Sequence, residues 1–587
     1  MIKRVFGHAL SVNSNIEGEN MLYGTAASEG IGIGKALIIE EHSLEYENTT
    51  VTDTDAEIKR FQNAVEDFCN NTSAQAEALR KSAGDKEAEI LEGHIQIIKD
   101  PYLCGEIDKL IAGGKCAEAA LEQMCDMFIG MFSAADDELI RQRAADMRDV
   151  KKSILSILLG VKEVNISQAP KDTVLVAREI TPSMTAGINK DNIVGIITET
   201  GGKTSHSAIL ARALEIPAVL SVSGATEKFT DGELVIVDGT NGEVIDSPDD
   251  DCVQKYTEKR SGFLKERREL ENYRGKKTVS ASNTEYELFC NIGKPEDALK
   301  AVEADGEGVG LFRTEFLFMD RTQVPDENEQ FEAYKKAALI LKGKPLIIRT
   351  LDIGGDKEIP YLGLQKEENP FLGFRAIRYC LKNTELFKTQ FKAILRASAF
   401  GDIRIMFPLI TTVDELRDGR ALLEQAKAEL KEQGSEFNEN IMTGIMMETP
   451  SATIIADILA KEADFFSIGT NDLTGYTMAS DRGNADVSYL YSPLQPSVLR
   501  SIKYIIECAA KNNIPVGMCG EAAANPLMIP LLISFGLTEF SVSAPSVLKV
   551  RKLISKWTKE EADKVSQKAL SMSTEKEITD YLKSVTQ

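Results

Sequence analysis

Histidine is scarce in this 587-residue chain, which contains only four copies: His8, His42, His94 and His206. Any chemistry that needs an imidazole must therefore use one or two of these positions. Cysteine occurs nine times, an odd number, and never in a Cys-x-x-Cys pair. This pattern argues against a disulfide framework and predicts free thiols in a reducing, cytoplasmic location.

Long apolar runs are also missing, and no segment approaches the roughly 20 residues that span a bilayer. Residues 1–22 carry two cations but no sustained apolar stretch, so we interpret them as an extension rather than a secretory signal. Positive charge is in deficit, since 68 Lys and Arg face 91 Asp and Glu. This balance argues against nucleic acid or an anionic membrane as the main partner, although clustered arginines can still hold a small anion.

The length predicts several domains. Residues 23–50 and 161–250 carry strand patterns, which predict one small α/β domain. Between them, residues 51–160 show helical periodicity with hardly a proline, which indicates an inserted helical subdomain. The highly charged residues 251–277 predict a helical linker.

Residues 278–587 repeat a strand-then-helix unit eight times. This count predicts a (β/α)₈ barrel. The alternative is an open doubly wound sheet, which the missing Gly-rich dinucleotide fingerprint disfavours. The expected strands lie at 286–292, 308–313, 345–350, 402–408, 442–448, 463–469, 515–519 and 539–542.

The segment Gly201-Gly-Lys-Thr-Ser-His lies between a predicted strand and a helix. Its glycines permit a tight turn, and Ser205 can cap the helix. His206 would then lie in the first helical turn, where free N–H groups favour an anion. A neutral imidazole is a competent nucleophile at cell pH. Lys203 adds a cation and Thr185 is a candidate to orient the ring, so we favour a functional, anion-handling histidine over a core or capping histidine.

Cationic side chains follow several of the predicted barrel strands: Arg313, Arg349 with Lys357 after it, Arg375 and Arg482. Each alone is most simply a surface salt-bridge residue. Four arginines at the catalytic edge of one barrel instead indicate a substrate with both a phosphate and a carboxylate, because arginine binds each in planar, bidentate geometry.

Two carboxylates, Glu448 and Asp472, also follow apolar strands. They form either a general-acid pair or a magnesium site, and we favour Mg²⁺ because phosphoryl transfer depends on charge neutralisation. Cys519 follows another strand. On its chemistry alone it is a buried apolar residue.

The motif GGKTSHSAILARALEIPAV resembles the phosphohistidine signature of Enzyme I of the bacterial sugar phosphotransferase system. Pyruvate phosphate dikinase and phosphoenolpyruvate synthase share a related domain. The barrel segments GVGLFRTEFLFM, LDIGGDK, NPFLGFRAIR and FFSIGTNDLT are similar to the same family. The resemblance extends from about Tyr23 to the C-terminus.

The resemblance implies phosphoryl transfer from phosphoenolpyruvate to Nε2 of His206 and then to a histidine of the phosphocarrier protein HPr, with release of pyruvate. The subdomain 51–160 would dock HPr, and the barrel would form a homodimer. Cys519 would protonate the enolpyruvate methylene carbon. The site residues expected in this way are His206, Cys519, Thr185 and Lys203 for catalysis; Arg313, Arg349, Lys357, Arg375, Asn471, Asp472 and Arg482 for substrate; and Glu448 and Asp472 for Mg²⁺.

The chain departs from the family pattern in a few places, which concern rate and partner choice. Lys203 replaces the usual Arg, and Gly475 replaces a Gln. After Cys519 the usual Leu, Gly and Asp are replaced by Ala522, Ala524 and Asn525.

Two alternative functions fit parts of the sequence: a dikinase or synthase, and a non-catalytic scaffold. A dikinase or phosphoenolpyruvate synthase needs a nucleotide-binding domain, but no P-loop or other Gly-rich nucleotide clamp precedes His206. A non-catalytic scaffold would have no reason to keep a nucleophile, an arginine set and a carboxylate pair together. Because His206 must reach both the barrel and the carrier, we also expect its domain to swivel about the linker.

Overall fold

The computed structural model describes residues 21–39, 44–82, 85–133, 138–161, 166, 169–180, 184, 188–202, 205–319, 321–354 and 359–586. The chain divides into two compact units, with the boundary between Arg267 and Arg268. Within the described residues, no helix combines the length and apolarity needed to cross a membrane.

The first unit contains a mixed eight-stranded sheet with the order β1-β8-β7-β3-β4-β5-β6-β2. Strands β3 to β6 run parallel, while the outer pairs are antiparallel. The predicted N-terminal extension, residues 1–22, is too long at its C-terminal end, because Met21 and Leu22 pair with β8 and belong to the sheet. The strands are β1 Met21–Tyr23, β2 Thr25–Ser28, β3 Ile31–Ile39, β4 Thr173–Ala177, β5 Ile193–Thr198, β6 Ala218–Leu220, β7 Leu234–Asp238 and β8 Glu243–Asp246.

In the described part of the chain between β3 and β4, five α-helices share a separate apolar core. Arg60 joins two of them, because its guanidinium contacts Glu57 and Glu118, each at 2.7 Å. The helices are α1 Thr54–Ser82, α2 Asp85–Ile98, α3 Pro101–Ala112, α4 Ala117–Ser133 and α5 Glu138–Leu159.

Among the described residues after β5, this unit has three further helices: α6 His206–Ala213, α7 Ala225–Lys228 and α8 Asp250–Glu271. Helix α8 is the charged segment that the sequence marks as a linker, and the boundary between the two units falls near its C-terminal end.

The second unit is a closed barrel of eight parallel strands. Each strand ends within two residues of its predicted bounds, and the predicted fold class is confirmed. The strands are β9 Glu287–Ile292, β10 Val309–Arg313, β11 Leu346–Arg349, β12 Ile403–Phe407, β13 Thr443–Met447, β14 Phe465–Ile468, β15 Val516–Met518 and β16 Glu539–Val542.

Helices surround the barrel and pack on it through one large apolar core. They are α9 Asp297–Glu303, α10 Glu327–Leu341, α11 Ala376–Lys382, α12 Thr384–Ala397, α13 Val413–Glu432, α14 Pro450–Ile454, α15 Ala456–Leu459, α16 Thr470–Met478, α17 Pro496–Lys511, α18 Ile529–Phe535, α19 Val547–Ser555, α20 Lys559–Leu570 and α21 Glu575–Thr586.

The barrel buries one carboxyl group far from the carboxyl ends of its strands. Glu539, the first residue of β16, is 6% exposed, and its Oε1 has no hydrogen-bond partner among the described residues. A Cβ at Gly310 or Gly517 would come within 2.4 or 2.8 Å of this carboxyl, so the two glycines make room for it. Burial, together with the nearby charge of Glu287, raises the pKa of Glu539 to about 8.

This buried acid predicts a pH-dependent stability. The unfolded chain loses the Glu539 proton near the ordinary pKa of a glutamate, whereas the folded protein keeps it until about pH 8. The free energy of unfolding should therefore fall as the pH rises between these two values. Glu539→Gln should remove this loss and be more stable than the parent at pH 8 but not at pH 4.

Urea unfolding at both pH values measures the effect, and Glu560→Gln, at an exposed position, is the control. A parent and a Glu539→Gln variant with the same pH dependence would show that Glu539 does not hold its proton in the folded state.

Candidate active site

The expected substrate-binding side chains come together at the carboxyl ends of the barrel strands. Arg313 and Arg349 are the last residues of β10 and β11, and Glu448 and Cys519 directly follow β13 and β15. They surround one cavity of about 230 Å³. Its polar lining consists of Arg313, Glu315, Arg349, Asp352, Arg375, Glu448, Asn471, Asp472, Arg482 and Cys519.

A continuous chain of ion pairs crosses this cavity. Arg349 contacts Glu315 at 2.6 Å and Asp352 at 2.9 Å. Asp352 also contacts Arg375 at 2.9 Å, and Arg375 reaches Asp472 at 3.2 Å. Arg349 and Arg375 are thus each held between two carboxylates, which orients both guanidinium groups before a substrate binds.

Burial opposes the charge of both paired arginines, but the surrounding carboxylates outweigh it and raise the pKa of Arg349 and of Arg375 above the usual value. The Nε atoms of these two side chains are buried and have no hydrogen-bond acceptor among the described residues. Both guanidinium groups therefore keep a donor that an anion in the cavity could use.

Arg313 differs from the other two. Among the described residues it has no hydrogen-bond or ion-pair partner, although it is partly buried and lines the cavity. An arginine that stays unpaired beside a pocket is available to bind an external anion.

Sequence reasoning missed Glu315, Asp352 and Tyr476. The hydroxyl of Tyr476 accepts a hydrogen bond from Arg375 at 3.3 Å and donates to the carbonyl of Phe371. Glu315 and Asp352 follow β10 and β11 just as closely as the predicted groups follow their strands, so the rule applied to the arginines could have identified both carboxylates.

The surroundings of Glu448 fit a cation. Its Oε1 accepts a hydrogen bond from the Leu409 N–H at 2.7 Å, which orients the carboxylate. Its Oε2 faces Gly469, where a Cβ would lie only 2.8 Å away. Burial, with the charges of Asp472 and Asp352, raises the pKa of Glu448 well above its ordinary value. A dication beside Glu448 and Asp472 would relieve this repulsion.

Among the described residues, no cluster of three or more His, Cys, Asp or Glu side chains is arranged to hold a metal ion by itself. Mg²⁺ commonly binds through one or two carboxylates and completes its shell with substrate oxygens and water, so the oxygens of Glu448 and Asp472 are chemically suited to it.

Cys519 closes the cavity from inside the barrel, where it packs with apolar side chains of the neighbouring strands. The residue is 3% exposed, and burial raises the pKa of its thiol to about 11. The sulfur therefore carries its proton at neutral pH and suits the role of an acid.

One of the departures from the family pattern borders this site. Ala524 lines a second cavity of about 520 Å³ that shares Arg313 and Cys519 with the first. Gly475 lies in helix α16.

The histidine motif belongs to the other unit. Helix α6 begins at His206, and Ser205 caps it by accepting a hydrogen bond from the Ala208 N–H at 3.3 Å. Gly201 has a φ of +108°, a backbone conformation that is unfavourable for residues with a side chain. The side chain of His206 lies outside the described part of the structure, as do Thr185, Lys203 and Lys357.

The other described histidine, His94, is a core residue. It is 2% exposed and lies between α2 and α5, with its ring nitrogens 3.6 Å from Asp146 and 3.8 Å from Asp149.

Comparison with known protein families covers nearly the whole chain. Residues 23–143 match the N-terminal domain of phosphoenolpyruvate-utilising enzymes, residues 169–242 match their mobile domain, and residues 267–559 match their phosphoenolpyruvate-binding domain. The chain belongs to the phosphoenolpyruvate-utilising enzymes. Helix α6 and the arginine-lined cavity thus fall in the mobile and the phosphoenolpyruvate-binding domains of this family, respectively.

Similar curated proteins carry the name phosphoenolpyruvate-protein phosphotransferase. The protein of Listeria innocua is 47% identical over 566 residues, which cover 96% of this chain and 99% of that relative. The proteins of Priestia megaterium and Bacillus subtilis are 47% and 46% identical, over 96% of this chain and 98% and 99% of their own lengths. Both the family resemblance and the enzyme class predicted from the sequence are confirmed by these matches.

Proposed function

We propose that this phosphoenolpyruvate-utilising enzyme transfers the phosphoryl group of phosphoenolpyruvate to Nε2 of His206 and then to a histidine of the carrier HPr, releasing pyruvate. The observation that carries the proposal is the cavity in which four arginines converge with four carboxylates and a buried thiol. The names of the similar proteins supply the substrate class.

The cavity suits a small trianion. Arg313 has no partner in the described part of the chain, and Arg349 and Arg375 each retain a buried Nε donor. These groups can bind the phosphate and the carboxylate of phosphoenolpyruvate at the same time, with Asn471 and Arg482 at the rim. Because ion pairs already orient Arg349 and Arg375, little side-chain freedom is lost on binding.

We propose that Glu448 and Asp472 hold Mg²⁺. When bound, the ion would neutralise charge on the phosphate that is transferred. Glu448 is directed by the Leu409 N–H, and Asp472 is held by Arg375, so both ligands are positioned by the chain itself.

The transfer forms a bond between phosphorus and Nε2 of His206 and breaks the bond between phosphorus and the enol oxygen. The resulting enolate takes a proton at its methylene carbon from the Cys519 thiol, which becomes a thiolate while the enolate becomes pyruvate. Arg313 and Arg349 lie near Cys519 and lower the pKa that burial raises, so they favour the loss of this proton.

We also propose the partners of this enzyme, the motion of its histidine-carrying unit and its location. The helical subdomain α1–α5 would dock HPr, the barrel would form a homodimer, and the unit that carries His206 would swivel between donor and carrier. All nine cysteines are free, which suits the reducing environment of the cytoplasm. The reaction would be the first step of sugar phosphotransfer.

The experiment is phosphoryl transfer through the purified protein to purified HPr, with phosphoenolpyruvate and Mg²⁺ as the only additions. We expect one pyruvate for each phosphoryl group that reaches HPr. A parallel assay supplies ATP and pyruvate instead of phosphoenolpyruvate. Pyruvate-dependent consumption of ATP in that assay, with no transfer to HPr in the first, would identify a dikinase or synthase.

A further inference from the structure

Ser467 is a fully buried residue of β14 with no part in the proposed chemistry so far. Its Oγ is buried and has no hydrogen-bond partner among the described residues. A buried hydroxyl without a partner costs roughly 1–3 kcal/mol, whereas alanine would fill nearly the same space without that cost. The serine therefore calls for an explanation beyond packing.

The strand register places this hydroxyl beneath the thiol of Cys519. Ser467 pairs with Gly517 on β15, two residues before Cys519, so both β15 positions face the inside of the barrel. The thiol in turn lies against the carbonyl of Ile468, with Sγ 3.8 Å from that oxygen.

The electrostatics agree with this placement. The Ser467 hydroxyl lowers the pKa of the Cys519 thiol, against the larger rise that burial causes. A hydroxyl lowers the pKa of a thiol only when it stabilises the negatively charged sulfur more than the neutral one.

We propose that Ser467 is a positioning residue for Cys519, whose hydroxyl directs the sulfur toward the cavity and donates a hydrogen bond to the thiolate formed when pyruvate is made. This inference rests on the proposed function, because it assigns Cys519 as the acid. No atom of Ser467 is transferred: the proton moves from sulfur to the methylene carbon, and the Ser467 O–H turns toward the negative sulfur.

The proton step can be measured apart from phosphoryl transfer. In D₂O with Mg²⁺, an enzyme that interconverts pyruvate and its enolate exchanges the methyl protons of pyruvate for deuterium, which NMR follows directly. We expect Ser467→Ala to slow this exchange about 10- to 100-fold, the range for a hydrogen bond to a charged group. The KM for phosphoenolpyruvate should change less than twofold, and Ser467→Cys, which keeps a weak donor, should regain part of the rate.

Two further variants make the outcome decisive. Ser398→Ala removes another buried hydroxyl, one that donates to Leu395 far from the cavity, and should leave exchange unchanged. Cys519→Ala should be slower than Ser467→Ala. Exchange at the parental rate in Ser467→Ala alone would overturn the inference, whereas parental exchange in Cys519→Ala would overturn the acid assignment and the inference with it.

Discussion

Replacing Arg313 by methionine is expected to lower kcat/KM for phosphoenolpyruvate by roughly 10²- to 10³-fold, the usual loss when one preorganised donor to a charged transition state is removed. Among the described residues Arg313 pairs with no protein group, so its charge is available to the substrate. Methionine keeps much of the length but not the charge. For the same reason the variant should fold normally, since no carboxylate loses its counter-ion.

Steady-state kinetics of pyruvate formation measure this effect. Arg404→Met is the matched control, because Arg404 also belongs to a barrel strand but pairs with Asp402, at 2.9 Å, away from the cavity. Arg349→Met should instead lose stability as well as activity, since it would remove the buried arginine that pairs with Glu315 and would leave Asp352 with Arg375 alone. An Arg313→Met enzyme with parental kcat/KM would remove this residue from the substrate site.

Glu448→Gln is expected to lower the Mg²⁺-dependent rate at least about 100-fold. Glutamine preserves the shape of the side chain and can still accept the hydrogen bond of the Leu409 N–H, but it removes the charge that would hold the ion. The folded protein should lose no stability, because a buried carboxylate crowded by Asp472 and Asp352 is replaced by a neutral amide.

Activity is measured over a range of Mg²⁺ concentrations, together with ion binding by calorimetry. Glu539→Gln is the matched control, because it makes the same substitution at another buried glutamate of the barrel, one that does not line the cavity. If Glu448→Gln bound Mg²⁺ and responded to it as the parent does, the proposed ligand pair would be wrong.

The barrel could be predicted from the sequence because its strands are short apolar runs, and most of the gaps between them have room for a helix and a return loop. The same strand pattern located Arg313, Arg349, Glu448 and Cys519, each at or directly after a strand end. In a parallel barrel these positions share one edge, so their convergence followed from topology.

Other features could not be predicted in this way. The order of the first sheet depends on antiparallel pairs such as β3 with β7, which are about 200 residues apart in the chain and leave no local signal. The pairing of Arg375 with Asp352 depends on how the loop after β11 folds back. Ser467 and Glu539 were missed because strands apolar on both faces show no alternation that would reveal an inward polar group.

The central claim is that His206 carries the phosphoryl group, and mapping the modified residue tests it most directly. The protein is incubated with phosphoenolpyruvate and Mg²⁺, digested under conditions that preserve phosphohistidine, and its peptides are identified by mass spectrometry. We predict one phosphorylated histidine, His206, and no label in His206→Ala. Label on His8, His42 or His94, or label that persists in His206→Ala, would contradict the account.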